Sequence, residues 1–294
     1  MTRFAAMVTI ISGACLMSFV GVLMRLINHA SGFQILFYRS ITMTLIVLLF
    51  VCLRRRCSIK SFLKSIDCND LMIGAWLAVA FTCYIFSMIN TSVASTLLIL
   101  TIGPFIAAII AWGWINEVPH PITWPTMIIA VSGVILMIYD GVALGYSIGN
   151  ISALAAAICF AMMLVTARRC LKTDVLGGTF MACIFSLCLG AFAALILDGN
   201  LAISTSDVAI IFFMGACTIG LGIALVTTGT GYLPAAEVSL LVLTESVLGP
   251  IWPWVFLGEA MSKFEIIGGA ITLTAVITLI IVSRTASQDT RTFR

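Results

Sequence analysis

Ten long apolar runs follow one another along this 294-residue chain, separated only by short polar connections. They cover residues 5–27, 33–53, 71–89, 93–115 and 124–139, then 149–166, 175–197, 208–227, 235–257 and 265–283. The hydrocarbon core of a bilayer is about 30 Å thick and takes about 20 apolar residues of helix to cross. Each run is near that length, the fifth being short. The runs are continuously apolar without in–out alternation, so they read as helices and not as barrel strands. Composition agrees, with 62% of residues hydrophobic and 9% charged, where soluble domains are about a quarter charged. The chain is expected to be an all-α integral membrane protein of ten transmembrane helices. The first run, behind Arg3, is too long for a signal-peptide core and is read as the first span.

Lysine and arginine set the expected orientation. With the N-terminus inside, Arg3, the cluster Arg54, Arg55, Arg56, Lys60 and Lys64, the cluster Arg168, Arg169 and Lys172, and Arg284, Arg291 and Arg294 all face the cytoplasm. That is 12 of the 15 basic residues. Only Lys263 falls in an outer connection, while Arg25 and Arg39 lie within runs. Both termini are therefore expected inside. A net charge of +3 in short topological clusters points to a lipid bilayer as partner and to no nucleic acid.

The second constraint is a repeat. Leu98, Trp112 and Glu117 recur as Leu240, Trp254 and Glu259, at a constant offset of 142 residues, and an apolar run follows each closing glutamate. Two copies of a five-helix unit are expected: residues 1–140 and 141–284, followed by a cytoplasmic tail at 285–294. Because five is odd, the second copy enters the membrane upside down. Inverted repeats of this kind place a solute site at their interface, near the bilayer midplane.

At these residues the chain resembles the EamA family of the drug/metabolite transporter superfamily. The resemblance covers the whole chain. It rests on Tyr38-Arg39-Ser40, on Thr101-Ile-Gly-Pro104 with Trp112 and Glu117, and on Glu245-Ser-Val-Leu-Gly-Pro250 with Trp254 and Gly258-Glu259. It implies two inverted five-helix halves and the transport of small metabolites such as amino acids or their relatives. One departure is that the family's second repeat often has Glu-Pro where this chain has Glu245-Ser246. The expected setting is the cell's inner (plasma) membrane, and the expected partner is a small-molecule solute. The oligomeric state is not readable.

Charged residues inside spans are costly and mark function or pairing. Counting 1.5 Å per residue from position 235, Glu245 lies about 15 Å deep, near mid-membrane. It is the first candidate for binding a cationic group or taking up a proton, against a hydrogen-bonded helix joint. Arg39, about 9 Å inside the second run, either snorkels to the interface or holds a carboxylate bidentately. Arg25 sits at the end of the first run and reads as an anchor. Trp76, Tyr84 and Trp252 are candidates for an aromatic wall that binds a cationic or zwitterionic solute; Trp252 follows Glu245 by seven residues, on the same face of a continuous helix. Pro104 and Pro250 are candidate hinges. Ala153, Ala157 and Ala161, four apart, read as a helix-packing stripe.

No phosphate-binding loop G-x-x-x-x-G-K-[ST] is present, so the chain is not itself an ATP-driven motor. H-E-x-x-H and G-x-S-x-G are absent too. The ten cysteines contain no C-x-x-C, and neither a metal nor a cofactor is expected. His29 and His120 are expected on opposite faces. Asp67 and Asp70 read as a solvated turn. Two other readings stay open at this point: a static membrane receptor or scaffold, and a membrane enzyme acting on lipid-linked substrates.

Overall fold

The computed structural model describes residues 1–56, 58–116, 123–143, 147–170, 175–230, 232–233, 235–259, 261–264, 266–275 and 277–278. Glu117, His120 and the tail at 285–294 lie outside them. The described residues are helical with short connections. The first half holds α1 (Arg3–Met17), α2 (Val20–Arg25), α3 (Gly32–Arg55), α4 (Ile59–Lys64), α5 (Cys68–Asn90), α6 (Val93–Leu100), α7 (Gly103–Ile115) and α8 (Thr123–Ala143). The second half holds α9 (Ser147–Arg169), α10 (Leu176–Ala193), α11 (Thr205–Phe213), α12 (Leu221–Thr230), α13 (Ala235–Leu248) and α14 (Ile251–Leu257). A π-helical stretch, Met214–Gly220, joins α11 to α12.

Seven helical segments among the described residues are long and apolar enough to cross a bilayer, from Phe4–Arg25 to Thr205–Thr230. Trp124–Gly133 and Ile266–Ala275 are shorter apolar helices. The ninth expected run is two pieces, α13 and α14. Polar residues at the connections set the helix starts. Thr2, Ser31, Ser58, Asp67, Ser92 and Ser204 each accept a hydrogen bond from a first-turn N–H, satisfying donors that the helix leaves free. Asp67 and Asp70 form a capping box on α5. The expectation of a solvated turn holds for Asp67, which is exposed, and is corrected for Asp70, which is buried; a Cβ on Gly177 would lie 2.8 Å from the Asp70 carboxyl carbon.

Three runs are broken where a continuous helix was expected. Ser18 and Phe19 separate α1 from α2, and Thr101 and Ile102 separate α6 from α7. Pro104 opens α7, and Pro250 caps α14. Proline fits a first turn because its missing N–H has no intrahelical partner there. The breaks themselves, at 101–102 and 249–250, are 148 residues apart (249 − 101), six beyond the repeat offset, so they are displaced by nearly two turns. The ends of the pieces do obey the offset. Asn116 closes α7 and Gly258 closes α14, both with positive φ, and 258 − 116 is 142. In addition, Thr272 Oγ1 donates to the Ala130 carbonyl, a contact between positions 142 apart.

The outer surface is apolar: Leu45, Leu49, Leu53, Ile151, Phe192 and Phe256 are all exposed. The interior is built by close helix approach. α5 packs on α9 and α10, α3 on α10, and α1 on α12. Ala153, Ala157 and Ala161 are buried, the first two among Leu98, Ile99 and Phe105 of α6 and α7 and the third against Ala107. Where α1 crosses α12, a Cβ on Gly13 would lie 2.6 Å from the Gly222 carbonyl oxygen, so no side chain fits. Gly113 has nothing within 4 Å of a Cβ position. Gly13→Val should therefore lower the stability of the solubilised protein by about 1–3 kcal/mol. Gly113→Ala should be neutral or stabilising by up to about 1 kcal/mol. A thermal unfolding series checks the pair, and an unchanged midpoint for Gly13→Val contradicts the packing.

Candidate solute-binding site

A cavity of about 110 Å³ lies between the two halves. Helical periodicity explains its walls. On α5, Leu77, Phe81 and Tyr84 recur at intervals of three and four and so share a face; on α9, Ala156, Phe160 and Leu164 do the same. All six line the cavity, as do Pro104 at the start of α7, Ile219 of the π-helical stretch and Ile223 of α12. Arg39 of α3 and Glu245 of α13 are its charged lining residues.

Arg39 is fully buried, with 0% exposure. Among the described residues none accepts a hydrogen bond from Nε, Nη1 or Nη2. Its guanidinium carbon lies 5.2 Å from the centre of the Phe81 ring, a cation–π contact that leaves the N–H donors free. Two glycines bring neighbours close to the backbone of α3. A Cβ on Gly215 would lie 2.5 Å from the Arg39 carbonyl oxygen, and one on Gly190 would lie 2.7 Å from the Phe37 nitrogen. The π-helical turn that contains Gly215 is an uncommon geometry often found at functional sites. With its backbone held this tightly, Arg39 is a preorganised donor.

Glu245 is buried, and its Oε1 accepts a hydrogen bond from Tyr84 Oη at 3.1 Å. This bond joins α5 of the first half to α13 of the second. The lining of the cavity therefore brings together Arg39, Glu245, Tyr84 and Ser246 among largely apolar walls. A guanidinium is able to bind a carboxylate through two parallel hydrogen bonds, and a carboxylate is able to bind a cationic group.

The remaining candidates are placed elsewhere. Trp76 is half-buried and packs against the core cluster of α3, α5 and α10, not among the cavity-lining residues. Trp252 does not line the cavity either. The break at Gly249 and Pro250 ends the helical face it was expected to share with Glu245. Its Nε1 instead donates to Ser18 Oγ at 2.9 Å, and its ring stacks on Phe19 at 4.5 Å.

Arg25 is not a free anchor. Its Nε and Nη2 donate to both carboxylate oxygens of Glu259 at 2.9 and 3.0 Å, Nη2 also to the Thr91 carbonyl at 2.7 Å, and Nη1 to that of Met88 at 3.1 Å. This pairing spans 234 residues, and no local pattern announces it; the only sequence hint was a glutamate closing each repeat. Among the described residues no group of three or more His, Cys, Asp or Glu is placed to hold a metal ion.

A family model described as the EamA-like transporter family matches residues 4–139 and again residues 147–281. A solved crystal structure superposes with a TM-score of 0.72 at 17% sequence identity, covering 96% of this chain and 100% of the other. At that identity the likeness speaks for the fold. No curated protein matches the sequence closely enough to count as a relative.

A buried polar group without a partner lowers stability by about 1–3 kcal/mol, and a charge by more. Arg39→Met, of similar length but uncharged, should therefore raise the thermal midpoint of the solute-free protein. A midpoint that falls by several degrees would mean that the guanidinium serves the fold.

Proposed function

Because the chain belongs to the EamA-like transporter family, we propose that this multi-pass membrane protein is a secondary carrier of small zwitterionic metabolites of amino-acid type. The observation that carries this reading is the pairing, in one cavity, of the unpartnered Arg39 guanidinium with Glu245. Arg39 takes the carboxylate of the solute and Glu245 its cationic group. A site made of opposite charges inside apolar walls rejects a solute lacking either charge, because a buried group would then be left unpaired.

The carrier works by alternating access of two inverted five-span halves, residues 1–140 and 141–284. Ten spans place both termini and the tail at 285–294 on the cytoplasmic side of the inner membrane. The breaks at Pro104 and Pro250 act as the joints on which α7 and α14 turn. The chain contains no ATP-binding loop, so a gradient drives the cycle. Glu245 is the residue assigned to proton coupling: it lies in the cavity beside Tyr84, and it serves the solute and the proton in turn.

Solute flux in proteoliposomes tests the coupling. Glu245→Gln should lose the acceleration produced by an imposed pH gradient, lowering gradient-driven flux about a hundredfold or more, the small end of the usual effect of removing a proton-transferring group. Gradient-driven flux equal to that of the parent protein would end the coupling assignment.

A further inference from the structure

We propose that α2 and α14 are the two leaves of a gate, and that the Arg25–Glu259 pair is its latch. The proposal rests on the carrier reading and adds to it the place where the cavity opens.

Both elements are short, six and seven residues long, and both lie beyond a break: Ser18 and Phe19 for α2, Gly249 and Pro250 for α14. They pack against each other. Val20 and Tyr84 line the cavity. Arg25 lies five residues beyond Val20 and Thr91 seven beyond Tyr84, so the latch sits roughly 7–10 Å above the cavity along the helices.

Two layers close this end. The layer nearer the cavity is aromatic: Trp252 stacks on Phe19, hydrogen bonds to Ser18 and approaches Phe256 at 6.2 Å. The layer beyond it is ionic. Arg25 holds Glu259 and the Met88 and Thr91 carbonyls, and Glu259 Oε1 also accepts from the Val93 N–H at 3.3 Å. Gly258, at φ 67°, turns the chain after α14, and Glu259 on its far side meets Arg25. The latch thus ties α2 and the α5–α6 connection of the first half to the end of α14 in the second.

The nature of these contacts distinguishes a seam that opens from one that stays shut. α1 on α12 and α5 on α10 meet through glycines with backbone in contact, which no small movement can replace. The α2–α14 seam is held by hydrogen bonds and one ion pair whose side chains are 28% and 26% exposed. Such a pair can exchange its partners for water at modest cost. Its end of the bundle is the one that the basic residues assign to the outside. A carrier must break and remake one seam in every cycle, and this seam combines jointed leaves with water-replaceable contacts.

The test uses a chain with its ten cysteines replaced and one returned at Ala80→Cys, a cavity-lining position. A membrane-impermeant maleimide is applied to vesicles of each orientation, and Asn28→Cys, an exposed position at the latch end, identifies the side. Arg25→Gln and Glu259→Gln should each accelerate labelling of Ala80→Cys from that side about fivefold or more, the small end of typical two-state coupling. The double variant should be no faster than the faster single, since one loss already frees the leaves. Ala182→Cys, buried in α10 outside the cavity, should not change. An unchanged rate at Ala80→Cys, an increase only from the other side, or an equal increase at Ala182→Cys overturns the gate. Labelling needs no transported solute, so a gate that opens in a chain that moves no zwitterion would leave this inference standing and the carrier reading at fault.

Discussion

A guanidinium buried among apolar side chains with no acceptor among the described residues is the constraint on which the rest of the structure turns. Charge removed from water is costly unless it is paired, and among the described residues Arg39 has the face of Phe81 and no hydrogen-bond acceptor. A fold that needed Arg39 for its own stability would have provided a carboxylate or carbonyl within reach, as it does for Arg25. Instead Glu245 is held by Tyr84, while Arg39 lines the cavity with guanidinium nitrogens that are buried and have no acceptor among the described residues.

The helices around that cavity divide into two kinds. α1, α5, α9, α10 and α12 are joined through glycine and alanine surfaces, where backbones approach so closely that the interfaces behave as rigid units. α2 and α14 are short pieces that follow breaks; α7 follows one too but packs on the alanine surface of α9 through Ala107. Rigid interfaces hold Arg39 in position, while the pieces after the breaks meet across the junction of the halves. The two kinds differ in the chemistry of their contacts: backbone packing for the first, and aromatic stacking, hydrogen bonds and an ion pair where α2 meets α14.

Much of this was legible in the sequence, and the limits have physical causes. Apolar runs and lysine and arginine clusters announce membrane helices directly, because lipid imposes composition on every span. The offset of 142 was visible in Leu98 and Leu240, and it reappears in the left-handed residues Asn116 and Gly258 that close α7 and α14. Arg39 and Glu245 stood out because a charge in a span needs a reason. Tyr84 was visible only as one aromatic among several, since its partner is 161 residues away. The pairing of Arg25 with Glu259 was hidden for the same reason, as pairings between halves leave no local trace. Trp252 was misplaced because periodicity assumes a continuous helix, and the break at Gly249 and Pro250 resets the face. Asp70 shows the reverse error: an acid beside basic residues suggested solvent, yet it is buried in the capping box that starts α5, while Asp67 is exposed.

The most direct measurement of the central claim is equilibrium binding of matched solutes to the purified protein: an apolar amino acid, and the same molecule with its carboxylate converted to an uncharged amide. If the Arg39 fork is the acceptor of the anionic group, the free acid binds and the amide is weaker by the worth of one bidentate charged contact, about tenfold or more. Equal affinity for the two would mean that the guanidinium is not facing the solute, and the account built on it would fail.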